Sequence, residues 1–351
     1  YEAILKQFEG KLKDNKDIAN YLLRIADIQL YKVGDYVATK KMVDKYLYYY
    51  PESSWAYGIL AKMYSYEGNT EKAIEMYETA LTFDRTNINN MIDLEWIQDG
   101  GVDRIKNIEN ILSNTTSMHD SATVYLAMAR LNREYGMLSE TIKNNDKALR
   151  LKESYQQFMH YSHIYYWNAT FYAKIGQYDK GYKVIEDIGK TLQKPFNEFA
   201  MVRTIEYHIH SENWDKLNEM IPQMKEMALS YGIEFEDVLF AEGYVHEYLY
   251  KNYLKAIDYY NQYLNTGAHR YADIHIAIAR CYRLNKDFKS ALKKLDEIND
   301  ADLLYKWDTN YEYALLYQDK GNIRKAINYI DLMLEHYKHA DPDLKKVNKA
   351  K

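Results

Sequence analysis

The chain has 351 residues, with 46 Lys or Arg against 51 Asp or Glu and a formal net charge of −5. This near-balance argues against general binding to nucleic acid or to a membrane surface, which needs a dominant basic field. Hydrophobic residues at 47% exclude wholesale disorder, and the single cysteine, Cys281, excludes a disulfide framework. Only 14 Gly and 4 Pro are present, and this scarcity of helix-breaking residues favours helices over strands and hairpins.

We predict that residues 1–19 form one helix, which precedes the regular pattern of the rest of the chain. Its apolar positions are Ala3, Ile4, Phe8 and Leu12. The segment is either a cap or the second half of an incomplete unit.

The clearest unit spans residues 55–81 and reads as two amphipathic helices separated by a turn at residues 67–69. Ala61 in the first helix and Ala73 and Ala80 in the second are small enough to let the two backbones approach closely. Tyrosines and a leucine at helical spacing fill the space that remains. This segment resembles a tetratricopeptide repeat.

The same pattern recurs from about residue 20 to residue 340, with 34 to 40 residues between unit starts. Two units depart from it: residues 88–121 lack the small residues, and residues 198–236 have Glu212 where other units have a glycine turn. We predict units that start near residues 20, 54, 88, 122, 162, 198, 237, 272 and 307.

The resemblance implies an all-α fold, a right-handed superhelical solenoid of about nine antiparallel helix pairs. In such families the first helix of each pair lines a concave groove that binds peptides or protein segments, and the proteins are rarely enzymes. We therefore predict a non-enzymatic binding scaffold. A peptide-sensing transcriptional or signalling regulator is the alternative, and an enzyme with a site hidden in the groove is a third hypothesis.

The predicted groove stripe is richer in basic and aromatic residues than in acids, which favours a protein or peptide partner that carries acidic groups. Alternatively, the arginines neutralise acids on neighbouring helices, such as Glu134 or Asp287. The family's carboxylate-clamp pattern is absent, because Ile25, Ile59 and Asp93 stand at one of its positions. The candidate groove residues are Arg24, Trp55, Lys62, Tyr66, Arg130, Arg133, Tyr166, Lys174, Tyr248, Arg280, Arg283 and Tyr311.

The chain lacks the sequence motifs typical of catalysis and cofactor binding. It has no glycine-rich phosphate loop and no GxSxG or HExxH motif, so we predict no cofactor. Three histidine pairs lack an evident third metal ligand, so we predict structural or solvent-facing roles for them. The pairs are His160/His163, His208/His210 and His336/His339. We predict that Cys281 carries an inert thiol buried in the core.

We predict that residues 341–351 form a polar cap after the last unit. The segment Ala340-Asp341-Pro342-Asp343 is similar to the end of repeat arrays attached to bacterial signalling proteins, where a polar capping helix begins. Pro342 suits the first turn of that helix and Asp341 its N-cap. The similarity implies a sensing or docking module of a larger protein, either in the cytoplasm or in the extracytoplasmic part of a membrane protein.

Overall fold

The computed structural model describes residues 12–13, 15–98, 100–151, 155–193, 200–232, 236–267, 271–298 and 303–351. Helices and turns make up these ranges, and no strand occurs within them. The predicted helix at residues 1–19 lies mostly outside them. The chain forms two compact units, residues 1–128 and residues 129–351.

Unit 1 is built of helical hairpins. Asn15 caps the first helix, which therefore begins at Lys16, before the predicted unit start near residue 20. A π-helical turn, Gln29–Val33, extends that helix to the first inter-helix turn. The helices are α1 (Lys16–Ile28), α2 (Tyr36–Tyr49), α3 (Ser54–Tyr66), α4 (Thr70–Phe83), α5 (Ile88–Ile97) and α6 (Asp103–Ile111), followed by α7 (Met118–Glu134), which contains the boundary residue Met128.

Unit 2 continues with hairpins of the same kind. The weak unit predicted at residues 198–236 has a broken first helix, while a π-helical turn, Val245–Leu249, lengthens the next one. The helices are α8 (Leu138–Arg150), α9 (Tyr155–Lys174), α10 (Tyr178–Thr191), α11 (Ala200–Arg203), α12 (Ile205–His210), α13 (Trp214–Tyr231), α14 (Glu236–Tyr244), α15 (Tyr253–Asn265), α16 (Tyr271–Leu284), α17 (Phe288–Asp296), α18 (Leu303–Asp319), α19 (Ile323–His336) and α20 (Lys345–Ala350).

The turns inside the hairpins share one backbone conformation. Gly68 has φ +78° and ends α3, and the side chain of Asn69 then accepts a hydrogen bond from the Lys72 N–H to cap α4. Glu212 occupies the equivalent position with φ 58°, so the turn persists where the glycine is missing. The same left-handed residue followed by a helix start occurs at Gly34, Gly136, Gly176, Lys251, Lys286 and Gly321.

Small residues line the contact between the two helices of a hairpin, as predicted. Ala61, Ala73 and Ala80 are fully buried, and Tyr77 fills the space beside them. In unit 2, Gly181 takes the place of such an alanine, because a Cβ there would lie 2.7 Å from the Ala169 carbonyl oxygen. The all-α repeat fold predicted from the sequence is confirmed.

The end of the chain differs from the prediction. Helix α20 begins at Lys345 rather than at Pro342, and its N-cap residue, Leu344, makes no side-chain capping bond. Asp341 instead accepts a hydrogen bond from the Ser139 N–H at 2.8 Å, at the start of α8. It is drawn there because Met137, the N-cap residue of α8, has no side-chain oxygen to offer the exposed N–H groups.

We therefore expect substitutions at two left-handed glycines to differ in cost. Gly136 and Gly176 have φ +73° and +75°, but only at Gly136 would a Cβ meet side chains, those of Tyr337, Ala340 and Leu344 at 2.8 to 3.0 Å. Gly176→Ala should lower the free energy of unfolding by about 1 kcal/mol through backbone strain. Gly136→Ala should cost roughly 1–3 kcal/mol more because it also overpacks. Urea unfolding of both variants measures the difference, and equal costs would contradict this packing.

Candidate functional site

A recess opens in unit 1 on the surface to which α1, α3 and α5 contribute, here named the A face. Its volume is about 270 Å³. Two residues of the predicted stripe, Trp55 and Lys62, lie in it, and Arg24 lies one helical turn before the recess residue Asp27. The lining residues are Asp27, Trp55, Gly58, Ile59, Lys62, Asn87, Asn89 and Asn90.

The floor of the recess is held by hydrogen bonds between α3 and α5. The buried Asn90 amide donates to the Ser54 carbonyl oxygen at 3.2 Å and to its hydroxyl at 3.0 Å. Gly58 makes this approach possible, because a Cβ there would lie 2.5 Å from the Asn90 Oδ1. Asn89, next to Asn90, is exposed and makes no hydrogen bond with another described residue.

Opposite charges meet beside the recess. The Lys62 ammonium lies 3.3 Å from the Asp93 carboxylate and 5.8 Å from the centre of the Tyr31 ring. Burial disfavours the charged lysine, but Asp93 and Tyr31 outweigh it and raise the pKa of Lys62. Partial burial raises the pKa of Asp27, and Lys62 opposes this shift. Lys62 is therefore a charged group that already has a carboxylate partner.

Aromatic side chains and an available cation lie on the helices of the A face. Trp55 is 39% exposed and Tyr66 55% exposed, and Tyr66 packs edge-on against Tyr31 with ring centres 5.9 Å apart. Arg24 is exposed and forms no ion pair with another described residue. The A face thus combines a guanidinium, large aromatic surfaces and amide groups.

Two arginines of unit 2, Arg280 and Arg283, have internal partners on other helices. Arg280 pairs through two nitrogens with Glu247, the second contact at 3.0 Å. Arg283 donates to Glu312 at 2.5 Å and to Asp319 at 2.9 Å. For these two arginines the neutralising acids are Glu247, Glu312 and Asp319 rather than the predicted Asp287.

The aromatic stripe residues of unit 2 also have packing roles. Tyr166 is buried beside Ile188 and Leu192, so it lies in the core rather than on a binding face, where the sequence placed it. Tyr248 stacks on Trp214 with ring centres 4.4 Å apart. Tyr311 packs beside the end of the chain.

The other basic stripe residues of unit 2 differ in exposure. Arg133 places its guanidinium 5.9 Å from the centre of the Trp167 ring, Arg130 is exposed, and Lys174 is partly buried. The stripe is therefore not one uniform surface, and the sequence missed Asp27, Tyr31 and Asn89. Asp27 and Tyr31 follow Arg24 at spacings of three and seven residues, a helical signal that could have found them.

The buried pair Arg280–Glu247 makes a specific stability prediction. Glu247 is almost fully buried and also accepts a hydrogen bond from the Tyr260 hydroxyl at 2.9 Å. Glu247→Ala should lower the free energy of unfolding by about 3–5 kcal/mol, because it leaves a guanidinium buried without its carboxylate. The control Lys40→Ala removes an exposed pair with Asp44 and should cost less than about 1 kcal/mol. Similar costs for the two, measured in urea, would contradict the buried pair.

His336 and Cys281 occupy packed positions, whereas His339 is exposed. The His336 ring stacks on Trp307 with centres 4.2 Å apart, and its Nε2 is 2.9 Å from the Glu134 carbonyl oxygen. The side chain of His160 lies outside the description. Cys281 is fully buried, and burial raises the pKa of its thiol. Within the described ranges no group of three or more His, Cys, Asp or Glu side chains is arranged to hold a metal ion.

Because His208 is buried, the stability of the folded protein should depend on pH. Burial and the nearby Lys216 lower the pKa of His208 from 6.5 to about 4. In the unfolded chain the imidazole takes up a proton first, so the stability present above pH 6.5 falls as the pH drops toward 4, by about 1.4 kcal/mol per pH unit. His208→Asn should remove this contribution. Urea unfolding at several pH values tests it, and an unchanged pH dependence in the variant would contradict it.

Comparisons with known proteins give the fold and no closer relationship. No protein-family model matches the sequence. No curated protein matches it either. None of the helices in the described part of the chain combines the length and apolarity that crossing a bilayer requires.

Several solved structures are similar. Human IFIT1 in a complex with m7Gppp-AAAA is 16% identical over 99% of this chain and 83% of its own, with a TM-score of 0.50. A tetratricopeptide repeat protein from Parabacteroides merdae is 13% identical over 79% of this chain and 100% of its own, with a TM-score of 0.49. Cut9–Hcn1 of the APC/C is 13% identical over 96% of this chain and 72% of its own, with a TM-score of 0.49. The chain has the helical repeat fold of tetratricopeptide repeat proteins.

Proposed function

We propose that the A face of unit 1 binds a protein or peptide segment that carries at least one acidic group. The observation that carries this proposal is the 270 Å³ recess, in which an exposed indole, a partly buried carboxylate and the exposed Asn89 amide lie together. Tryptophan and arginine are the residue types that contribute most at protein interfaces. A mixed polar and aromatic recess suits a polypeptide better than a purely apolar ligand.

Arg24 supplies the charge that an acidic group would meet. Its guanidinium is exposed and has no carboxylate partner among the described residues, whereas Lys62, Arg280 and Arg283 are already paired. A carboxylate of the ligand would gain a two-pronged hydrogen bond there without breaking an internal ion pair. Asn89 would pair with a main-chain amide of the ligand, since a carboxamide both donates and accepts. The surface needs no catalytic group for this role.

Whether this binding serves a larger signalling protein or a transcriptional regulator stays a prediction from the sequence. A peptide-binding A face is common to both, because in either case a bound segment would be the input. An effector domain encoded next to this segment would identify which of the two applies.

Selection of peptides against the whole chain tests the proposal. A phage library of random 12-residue peptides should yield binders that contain Asp or Glu beside an apolar residue. Trp55→Ala and Arg24→Glu should each weaken the selected peptides by about tenfold or more, since residues of this kind cost over 1.4 kcal/mol at interfaces. Raising the salt concentration should weaken binding to wild type more than to Arg24→Glu.

Two exposed positions away from the recess provide matched controls. Tyr48 is an aromatic residue with 80% exposure on α2, and Lys106 is an exposed cation on α6. Tyr48→Ala and Lys106→Glu should leave the affinity unchanged. Binders that ignore Trp55→Ala and Arg24→Glu, or a selection that enriches no sequence, would overturn the proposal.

A further inference from the structure

The last residues of the chain lie against distant parts of unit 2. The segment of residues 336–350, here named the C-terminal segment, places Tyr337, Leu344 and Val347 among buried apolar side chains. These include Leu138 and Ile142 of α8 and Phe171 and Ile175 of α9. The segment therefore occupies an apolar surface to which helices about 200 residues earlier in the sequence contribute.

Three lysines of α20 make polar contacts around this apolar centre. The Lys345 ammonium donates to the His210 carbonyl oxygen at 3.1 Å and lies 4.7 Å from the centre of the Tyr178 ring. Lys346 pairs with Asp308. Lys349 lies 3.5 Å from the Glu212 carboxylate. The three lysines of α20 thus meet acceptors or an aromatic face from three hairpins, α9–α10, α12–α13 and α18–α19.

The segment also completes helix α8. Asp341 accepts from the Ser139 N–H, and its own N–H donates to the Gly136 carbonyl oxygen at 3.1 Å. Met137 offers no side-chain capping bond, so α8 receives its cap from the C-terminal segment. A helix N-terminus attracts an anionic group, and Asp341 brings that charge.

Helix α20 has only six residues, Lys345–Ala350, and a helix of this length is unstable in water by itself. Its conformation depends on the distant surface, just as a peptide depends on the groove that orders it. Because many of its contacts are charged and partly exposed, they exchange more readily with water than a sealed core does.

We propose that this surface of unit 2 is a binding site for a short lysine-bearing helical segment with apolar anchors, and that the chain's own C-terminal segment is its resident occupant. A second segment of the same chemistry binds there only after the resident segment leaves. This site lies in unit 2, so it stands or falls independently of the peptide site proposed on the A face.

Binding of the segment in trans tests the site. The probe is a fluorescein-labelled synthetic peptide of residues 336–351, added to the full chain and followed by fluorescence anisotropy. Lys346→Glu in the chain should loosen the resident segment, because Asp308 would then face a carboxylate, and leave the surface intact. That variant should bind the probe at least about tenfold more tightly than wild type does.

The controls distinguish release of the resident segment from the effect of a change in charge alone. Lys338→Glu alters an exposed lysine of the same segment that pairs with Glu335, and the full chain carrying it should behave as wild type. A probe peptide with Leu344→Ala should bind the Lys346→Glu chain about tenfold more weakly than the unaltered probe, since it lacks an apolar anchor. A folded Lys346→Glu chain that fails to bind the unaltered probe would overturn the proposal.

Hydrogen exchange of wild type covers the case in which the variant fails to fold. The amides of Asn348 and Lys351, which donate to the Leu344 and Val347 carbonyl oxygens, should exchange roughly a hundredfold faster than the interior amides of α8, since the segment opens locally while unit 2 stays folded. If these amides exchange only as fast as the interior of α8, the segment leaves only on global unfolding. It would then be a fixed structural cap, and the proposal would be wrong.

Discussion

The turn between the two helices of a hairpin is the constraint on which the structure depends. A residue in the left-handed conformation stops the first helix, and in most hairpins an Asn or Asp immediately after it caps the second. The chain reverses within three or four residues, so the two helices must pack along their small residues. Where glycine is missing, Lys251 and Lys286 adopt the same backbone conformation with φ of 54° and 64°. The surrounding packing thus imposes the turn on residues that do not prefer it.

Charge is distributed differently in the two units. In unit 2 the cations of helices α16 and α20 are matched by carboxylates or carbonyl groups of other hairpins, and these pairs hold neighbouring helices in register. In unit 1 the A face has one internal pair, Lys62 with Asp93, and leaves the Arg24 guanidinium exposed. A charged side chain that already has an ion-pair partner within the fold gains little from a ligand. Exposure and pairing therefore distinguish the side chains that could bind a partner from those that stabilise the structure.

The C-terminal segment joins structure and proposed binding in unit 2. It caps α8 with Asp341, fills an apolar surface with Tyr337 and Leu344, and distributes lysines toward three hairpins. Such a segment stabilises the unit while it occupies the surface that a partner would need. A chain with this arrangement couples access to one of its surfaces with the conformation of its own end.

The sequence by itself determined the fold: the 34-to-40-residue spacing, the small residues and the turn glycines all act locally, within one hairpin, and therefore can be read in order along the chain. It also predicted Trp55, Lys62 and Arg24 as binding candidates, because the A face is formed by residues at regular helical spacing. Only the tertiary structure decided that Tyr166 is buried, that Arg280 pairs with Glu247, and that Asp341 caps α8 rather than its own helix. These contacts join residues 33 to 202 positions apart or depend on how neighbouring hairpins close over a side chain. No periodicity records such contacts, since they arise only when the helices are packed.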